Sequence, residues 1–293
     1  MNNISIDISG RIDPGKLSVL RSIQEVGKEL DINFFVAVTG AFARVIYEHI
    51  HRIPAPRVTE DIDIGVEVGS WGEFRQLTGA LIDRGLLTAT ESPHRFIAGS
   101  FNAVVDIVLF GVRIDEAKRI NWLPDHEMIV NMFGFEEAYQ SALKVRLSSD
   151  PPLEILVPSA PALALLKIIS WANAYPRSEY EAHDILFILE NYDATGVEAN
   201  LYESHEPALS EDEFDSRLAS VRLLGRDIAL LGNPETVKTV EEILIRETDE
   251  SQGFRMLSNM VKDASFQGTK FEATLQLLKK LLQGIQEGKP RVS

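Results

Sequence analysis

Apolar residues recur at three- and four-residue intervals through Leu17, Leu20, Ile23, Val26 and Leu30. This is a helical stripe that Asp13 and Pro14 open as cap and first helical residue. Phe34 to Thr39 reads as a buried strand ending at Gly40, after which Phe42, Val45, Ile46 and Ile50 place a helix over 41–51. Two prolines between His51 and Val58 mark a loop. From about Glu60 to Val68 the period changes to two: Ile62, Ile64, Val66 and Val68 alternate with Asp61, Asp63, Gly65 and Glu67. Ser70 and Glu73 form a capping box ahead of Phe74, Leu77, Leu81 and Ile82. Phe96 to Ala98 and Phe101 to Phe110 are further strands, the second almost wholly apolar as a strand covered on both faces should be. From Ser159 the pattern turns helical, over 159–172 and 179–192. Beyond Glu198 only helices are expected: one from Ser210, one from about Pro234 to just before Asp249, and one over about 270–285.

The pattern predicts two domains, a mixed strand and helix domain over 1–150 and a helical domain over 151–293, with the acidic stretch from Glu203 to Asp215 as a linker and solvated helix start. The formal net charge of -15 argues against broad affinity for a phosphate backbone, so a nucleic-acid partner needs a local basic patch. With 0 cysteines, a disulfide framework, a thiolate zinc site and a cysteine nucleophile are excluded. The first residues lack the basic and apolar stretches of a signal peptide, which makes cytoplasmic residence the expectation. The most apolar run, 160–172, is interrupted by Lys167 and falls short of the roughly 20 residues that cross a membrane.

Asp61 and Asp63 carry the most chemical information. Strand alternation puts both carboxylates on one face, where they repel unless a cation or a hard divalent metal neutralises them. The alternative is the wet face of an edge strand. A calcium loop is discarded, because Ile62 and Ile64 make a strand pattern and Trp71 and Gly72 stand where a closing Glu is required. Asp106, inside Val104-Val105-Asp106-Ile107-Val108, is costly to bury alone. It either completes a three-carboxylate metal cluster with Asp61 and Asp63 or is a core Asp bonded to backbone or Arg. Gly40 suits close approach of phosphate to a helix N-terminus, or simply a tight turn. Arg44, one turn on, can reach a phosphate or a structural carboxylate. Lys167 stands among Leu163, Leu165, Leu166, Ile168 and Ile169, and either snorkels or meets a negative group, Asp184 and a bound triphosphate being candidates. The histidines lack zinc-hydrolase spacing, and no Gly-x-Ser-x-Gly elbow occurs.

Together, Val38-Thr39-Gly40-Ala41, Thr59-Glu60-Asp61-Ile62-Asp63 and Val105-Asp106-Ile107 resemble the signature of the nucleotidyltransferase superfamily. The segments Val157 to Lys167 and Arg177 to Leu186 resemble its AbiEii-type branch, the toxins of abortive-infection and toxin-antitoxin systems. The resemblance covers roughly residues 34–192. It implies an α+β fold, a mixed β-sheet flanked by helices and followed by an all-helical C-terminal region. It further implies that Gly40 and Ala41 hold nucleotide phosphates, that Asp61, Asp63 and Asp106 bind Mg²⁺ (two ions), and that Lys167 contacts phosphate with Asp184 close by. Two departures stand out: Gly-Ala where the family more often has Gly-Gly or Gly-Ser, and Tyr180-Glu181 where the branch often has Lys-Asp.

The expected activity is transfer of a nucleoside monophosphate from an NTP to a hydroxyl of RNA, for instance tRNA, or of a protein, in a toxin whose partner is a cognate antitoxin. The competing expectation is a weak or inactive nucleotide-binding module acting through protein partners. A small-molecule acceptor of the aminoglycoside type is a third.

Overall fold

Cap chemistry sets the first elements of this computed structural model, which describes residues 5–36, 42–53, 61–99, 101–111, 119–121, 129–131, 133–176, 178–195, 215–262 and 267–288. The Asp13 carboxylate accepts from the backbone N–H groups of Gly15 at 2.8 Å and Lys16 at 3.1 Å, opening α1 (Pro14–Glu29). Two orphan donors of the first turn are thereby satisfied. Ser70 does the same for Glu73 at 3.2 Å at the start of α3 (Trp71–Asp83), while the Glu73 carboxylate reaches back to Gly69 N–H at 2.8 Å. Between them lie β2 (Asn33–Val36), α2 (Phe42–His51) and β3 (Ile62–Glu67). After α3 come β4 (Leu87–Ala89), β5 (Arg95–Ala98) and β6 (Ala103–Phe110).

These strands form one five-stranded mixed sheet in the order β2-β3-β6-β5-β4. Only β3 and β6 are parallel; the other pairs are antiparallel. Ile62, Ile64 and Val66 of β3, and Val105, Ile107 and Leu109 of β6, are fully or almost fully buried. The apolar half of each strand therefore lies in the core, and the other half carries Asp63 and Asp106.

A short parallel strand, β1 (Ile6–Asp7), joins a second sheet in the order β1-β9-β10, with β9 at Leu143–Ser149 and β10 at Pro152–Val157. Two further short strands, β7 (Arg119–Asn121) and β8 (Ile129–Asn131), pair antiparallel with each other. Helix α4 (Phe135–Gln140) sets Phe135 and Tyr139 against the Phe110 ring, at 6.3 and 5.2 Å between centroids.

The chain divides into two compact units, residues 1–159 and 160–293. The break falls later than the expected 150/151 because β10 pairs with β9 and so belongs to the first unit. Neither of those strands is among the predicted elements, although Leu143, Val145 and Leu147 alternate with Lys144, Arg146 and Ser148.

The second unit is helical among its described residues. It comprises α5 (Ala160–Ala174), α6 (Tyr180–Asn191), α7 (Ser216–Leu231), α8 (Pro234–Glu247), α9 (Arg255–Val261) and α10 (Gln267–Gly288), with single 3-10 turns at Asp193–Thr195 and Glu250–Gln252. The predicted helix from Ser210 is described from Ser216, where Asp215 caps Arg217 and Leu218; Ser210 and Glu213 lie outside the described residues. Helices α7 and α10 cross through glycine. A Cβ on Gly284 would strike the Arg222 carbonyl, and one on Gly225 would strike the Leu281 carbonyl. Among the described residues no helix is long and apolar enough to cross a membrane.

Candidate active site

Three strands of the five-stranded sheet contribute one lateral row of charge. Asp63 on β3 is in register with Asp106 on β6, and Asp106 is in register with Arg95 on β5. Registered residues on neighbouring strands share a face, so the three side chains lie side by side. Asp61 stands two residues before Asp63, at the mouth of β3, and alternation gives it the same face. Further along that face come Gly65 beside Val108 and then Glu67 beside Phe110, where α4 supplies aromatic cover. The acids thus occupy the end of the face at which β3 begins.

Asp63 is 2% exposed and Asp106 7% exposed, whereas Asp61 is half-buried. A carboxylate pair this deep needs a cation nearby. Arg95 is that cation: its Nε donates to Asp106 Oδ1 at 2.8 Å and its terminal nitrogen to Oδ2 at 2.7 Å, a two-pronged fork. The hydrogen bonds to Asp106 raise the Arg95 pKa above its ordinary value, burial opposes this, and the charges of Asp106, Asp61 and Asp63 add to the rise. The field of all three acids therefore converges on one guanidinium. Beside it, burial lowers the His94 pKa, with Asp106 raising it and Arg95 lowering it.

Of the two destinies weighed for Asp106, the structure displays the arginine partner. Arg95 itself is absent from the predicted site. The predicted strand begins one residue later, at Phe96, although a basic residue opening a strand beside an acid-bearing one is the available signal. The donor set still suits a hard divalent cation, being three carboxylates on one face of adjoining strands. Yet among the described residues no three His, Asp or Glu side chains are gathered as a metal site, both oxygens of Asp106 being turned to Arg95.

A protein-family model described as "Nucleotidyl transferase AbiEii toxin, Type IV TA system" matches residues 38–273, through both units. The chain belongs to the AbiEii family. No curated protein sequence matches it. Among solved structures, the antibiotic-resistance factor ANT(2'')-Ia is similar at 15% identity and a TM-score of 0.37, over 69% of this chain and 98% of that one. A CCA-adding enzyme in an apo form is 14% identical with a TM-score of 0.31, over 90% of this chain and 67% of that one. The Thermotoga maritima CCA-adding enzyme, solved with a tRNA, is 13% identical with a TM-score of 0.26, over 95% and 82%.

The remaining predicted residues of this AbiEii-family chain fall in different places. Gly40 and Ala41 lie outside the described residues. Arg44 takes the structural carboxylate of the two partners open to it: it is buried in α2 and ion-paired with Glu48 one turn on. In the second unit, Lys167 on α5 is 1% exposed and meets Asp184 on α6 at 2.7 Å. The snorkelling alternative for Lys167 is thereby excluded. At the Tyr180-Glu181 departure, Tyr180 opens α6 exposed to solvent and Glu181 accepts from the Ser178 hydroxyl at 2.8 Å. Arg177 lies outside the described residues.

Proposed function

We propose that this AbiEii-family chain is a Mg²⁺-dependent nucleotidyltransferase that moves a nucleoside monophosphate from an NTP to a hydroxyl of RNA or protein, as the toxin partner of an antitoxin. The observation that carries this reading is the in-register pair Asp63 and Asp106 on parallel strands, with Asp61 on the same face. A buried row of acids contributes nothing to packing and costs desolvation, so its presence asks for a chemical use.

Mg²⁺ held by Asp61, Asp63 and Asp106 would neutralise phosphate charge and activate the attacking hydroxyl. The acceptor oxygen bonds to the α-phosphorus, the bond from that phosphorus to the oxygen bridging to the β-phosphate breaks, and pyrophosphate departs. The hydroxyl proton passes to Asp106, the carboxylate on the middle strand of the row. The chain is asked for position and charge rather than covalent chemistry. Lys167 and Asp184, paired at 2.7 Å, would also be needed for labelling.

The Arg95 fork on Asp106 favours a second reading, a fold retained for nucleotide binding or protein contacts with the acid row permanently neutralised. Incubation with radiolabelled NTPs and cell lysate separates the two. The enzymatic reading expects a labelled RNA or protein, with labelling lost in Asp61→Ala and Asp63→Ala. Labelling that persists in both variants would refute the site. Melting curves with each NTP should rise only when Mg²⁺ is present.

A further inference from the structure

We propose that Arg95 and a divalent cation are alternative occupants of Asp106, so that metal loading requires the Arg95 fork to open. The inference rests on the enzymatic reading above, and it assigns to Arg95 a role as resident counter-ion of the metal-free site.

Three observations carry it. Both oxygens of Asp106 are engaged by one guanidinium, at 2.8 and 2.7 Å, so a metal ion at Asp106 would have to share oxygens that already accept from a cation. The acids are buried while their cation is not: the Asp106 side chain is 10% exposed, that of Arg95 46%. Arg95 can therefore turn into water without uncovering core, whereas Asp106 cannot leave. Finally, Asp61 and Asp63 both act on the Arg95 charge, so the guanidinium neutralises the whole cluster and not Asp106 alone.

A carboxylate cluster in a small volume stays fully ionised only with a cation beside it. With Arg95 in place the cluster is satisfied without metal; with metal bound, Arg95 adds repulsion and its own fork is redundant. The two cations compete for the same oxygens, and the wild-type affinity for metal is lowered by the fraction of molecules in which the fork is closed.

Titration of the full-length, metal-free protein with Mn²⁺ alone, followed by the electron paramagnetic resonance of free Mn²⁺, tests this. Arg95→Gln should bind Mn²⁺ more tightly than wild type, by about tenfold if the fork is closed in roughly nine molecules of ten. Arg95→Lys, which keeps the charge but cannot span both oxygens, should fall between them and preserves the comparison if the Gln variant does not fold. In chelator, Arg95→Gln should melt below wild type, and Mn²⁺ should raise its melting temperature more. In an Asp106→Asn background, Arg95→Gln should raise Mn²⁺ affinity less than it does in the wild-type background. Equal or weaker Mn²⁺ binding by folded Arg95 variants overturns the competition while leaving the metal reading intact. Absence of Mn²⁺ binding in wild type and variants alike overturns both.

Discussion

Asp63 is the residue on which the proposed chemistry depends most, being the deepest of the three acids and the neighbour of Asp106 in register. Asp63→Asn is expected to lower nucleotidyl labelling by about 100-fold or more, the usual scale for groups that hold a reacting centre, while circular dichroism stays native. Lys167 invites a different test, because a buried ion pair broken on one side leaves a charge behind. Lys167→Met should destabilise the chain by about 3–5 kcal/mol in urea titrations. The double variant Lys167→Met with Asp184→Leu should recover most of that loss without recovering labelling. Recovery of both would make the pair structural. At this scale the sequence exposes the acids, because their alternation with Ile62 and Ile64 is local. It does not expose Arg95, whose meaning depends on lateral register across three strands, nor decide Arg44, which has a carboxylate within one helical turn.

Helices α7 and α10 meet where glycine replaces side chain with backbone. Alanine in a helix interior normally stabilises by about 1 kcal/mol relative to glycine. At Gly284 and Gly225 the added carbon would enter a carbonyl of the facing helix. Gly284→Ala is therefore expected to lower stability by about 1–3 kcal/mol by chemical denaturation, the opposite sign to the intrinsic preference. The same crossing is clasped by Glu287 of α10, which accepts from Arg222 at 2.7 Å and from Arg226 at 2.9 Å. Burial pushes the Glu287 carboxyl up, but its bonds from Arg222, Arg226 and Gln283 outweigh that and bring it down to about 2. A carboxyl lowered by folding contributes stability above its unfolded pKa and loses it as pH falls through the folded value. The melting-temperature gap between wild type and Glu287→Gln should thus be full at pH 7 and shrink between about pH 4.5 and 2. Elements with caps or long stripes, such as α1, α3 and α10, are legible in the sequence because their signals are contiguous. The pair β9 and β10 has an alternating pattern too, yet its strands carry Lys144, Arg146 and Glu154, whose ion pairs cross between them and depend on a pairing the local pattern does not reveal.

Across the whole molecule the net charge of -15 limits how an RNA acceptor could be held. A protein that makes six to ten phosphate contacts loses about 10³–10⁵ in affinity between 50 and 200 mM salt. Labelling of an RNA acceptor by this chain should fall by less than about tenfold over that range, since the net charge of -15 works against an interface of many phosphate contacts. The two-unit plan is legible because strand period gives way to helix period near Ser159, although the division itself depends on which strand pairs with which. That pairing has a consequence for assembly of the sheet. If β3 slid by one residue against β6, Ile62, Ile64 and Val66 would face the polar row, and the carboxylates would enter the aliphatic interior opposite no guanidinium. A one-residue slip is therefore penalised twice, by aliphatic side chains brought to the polar face and by carboxylates buried without their guanidinium, so the acid row fixes the strand register more sharply than hydrophobicity alone.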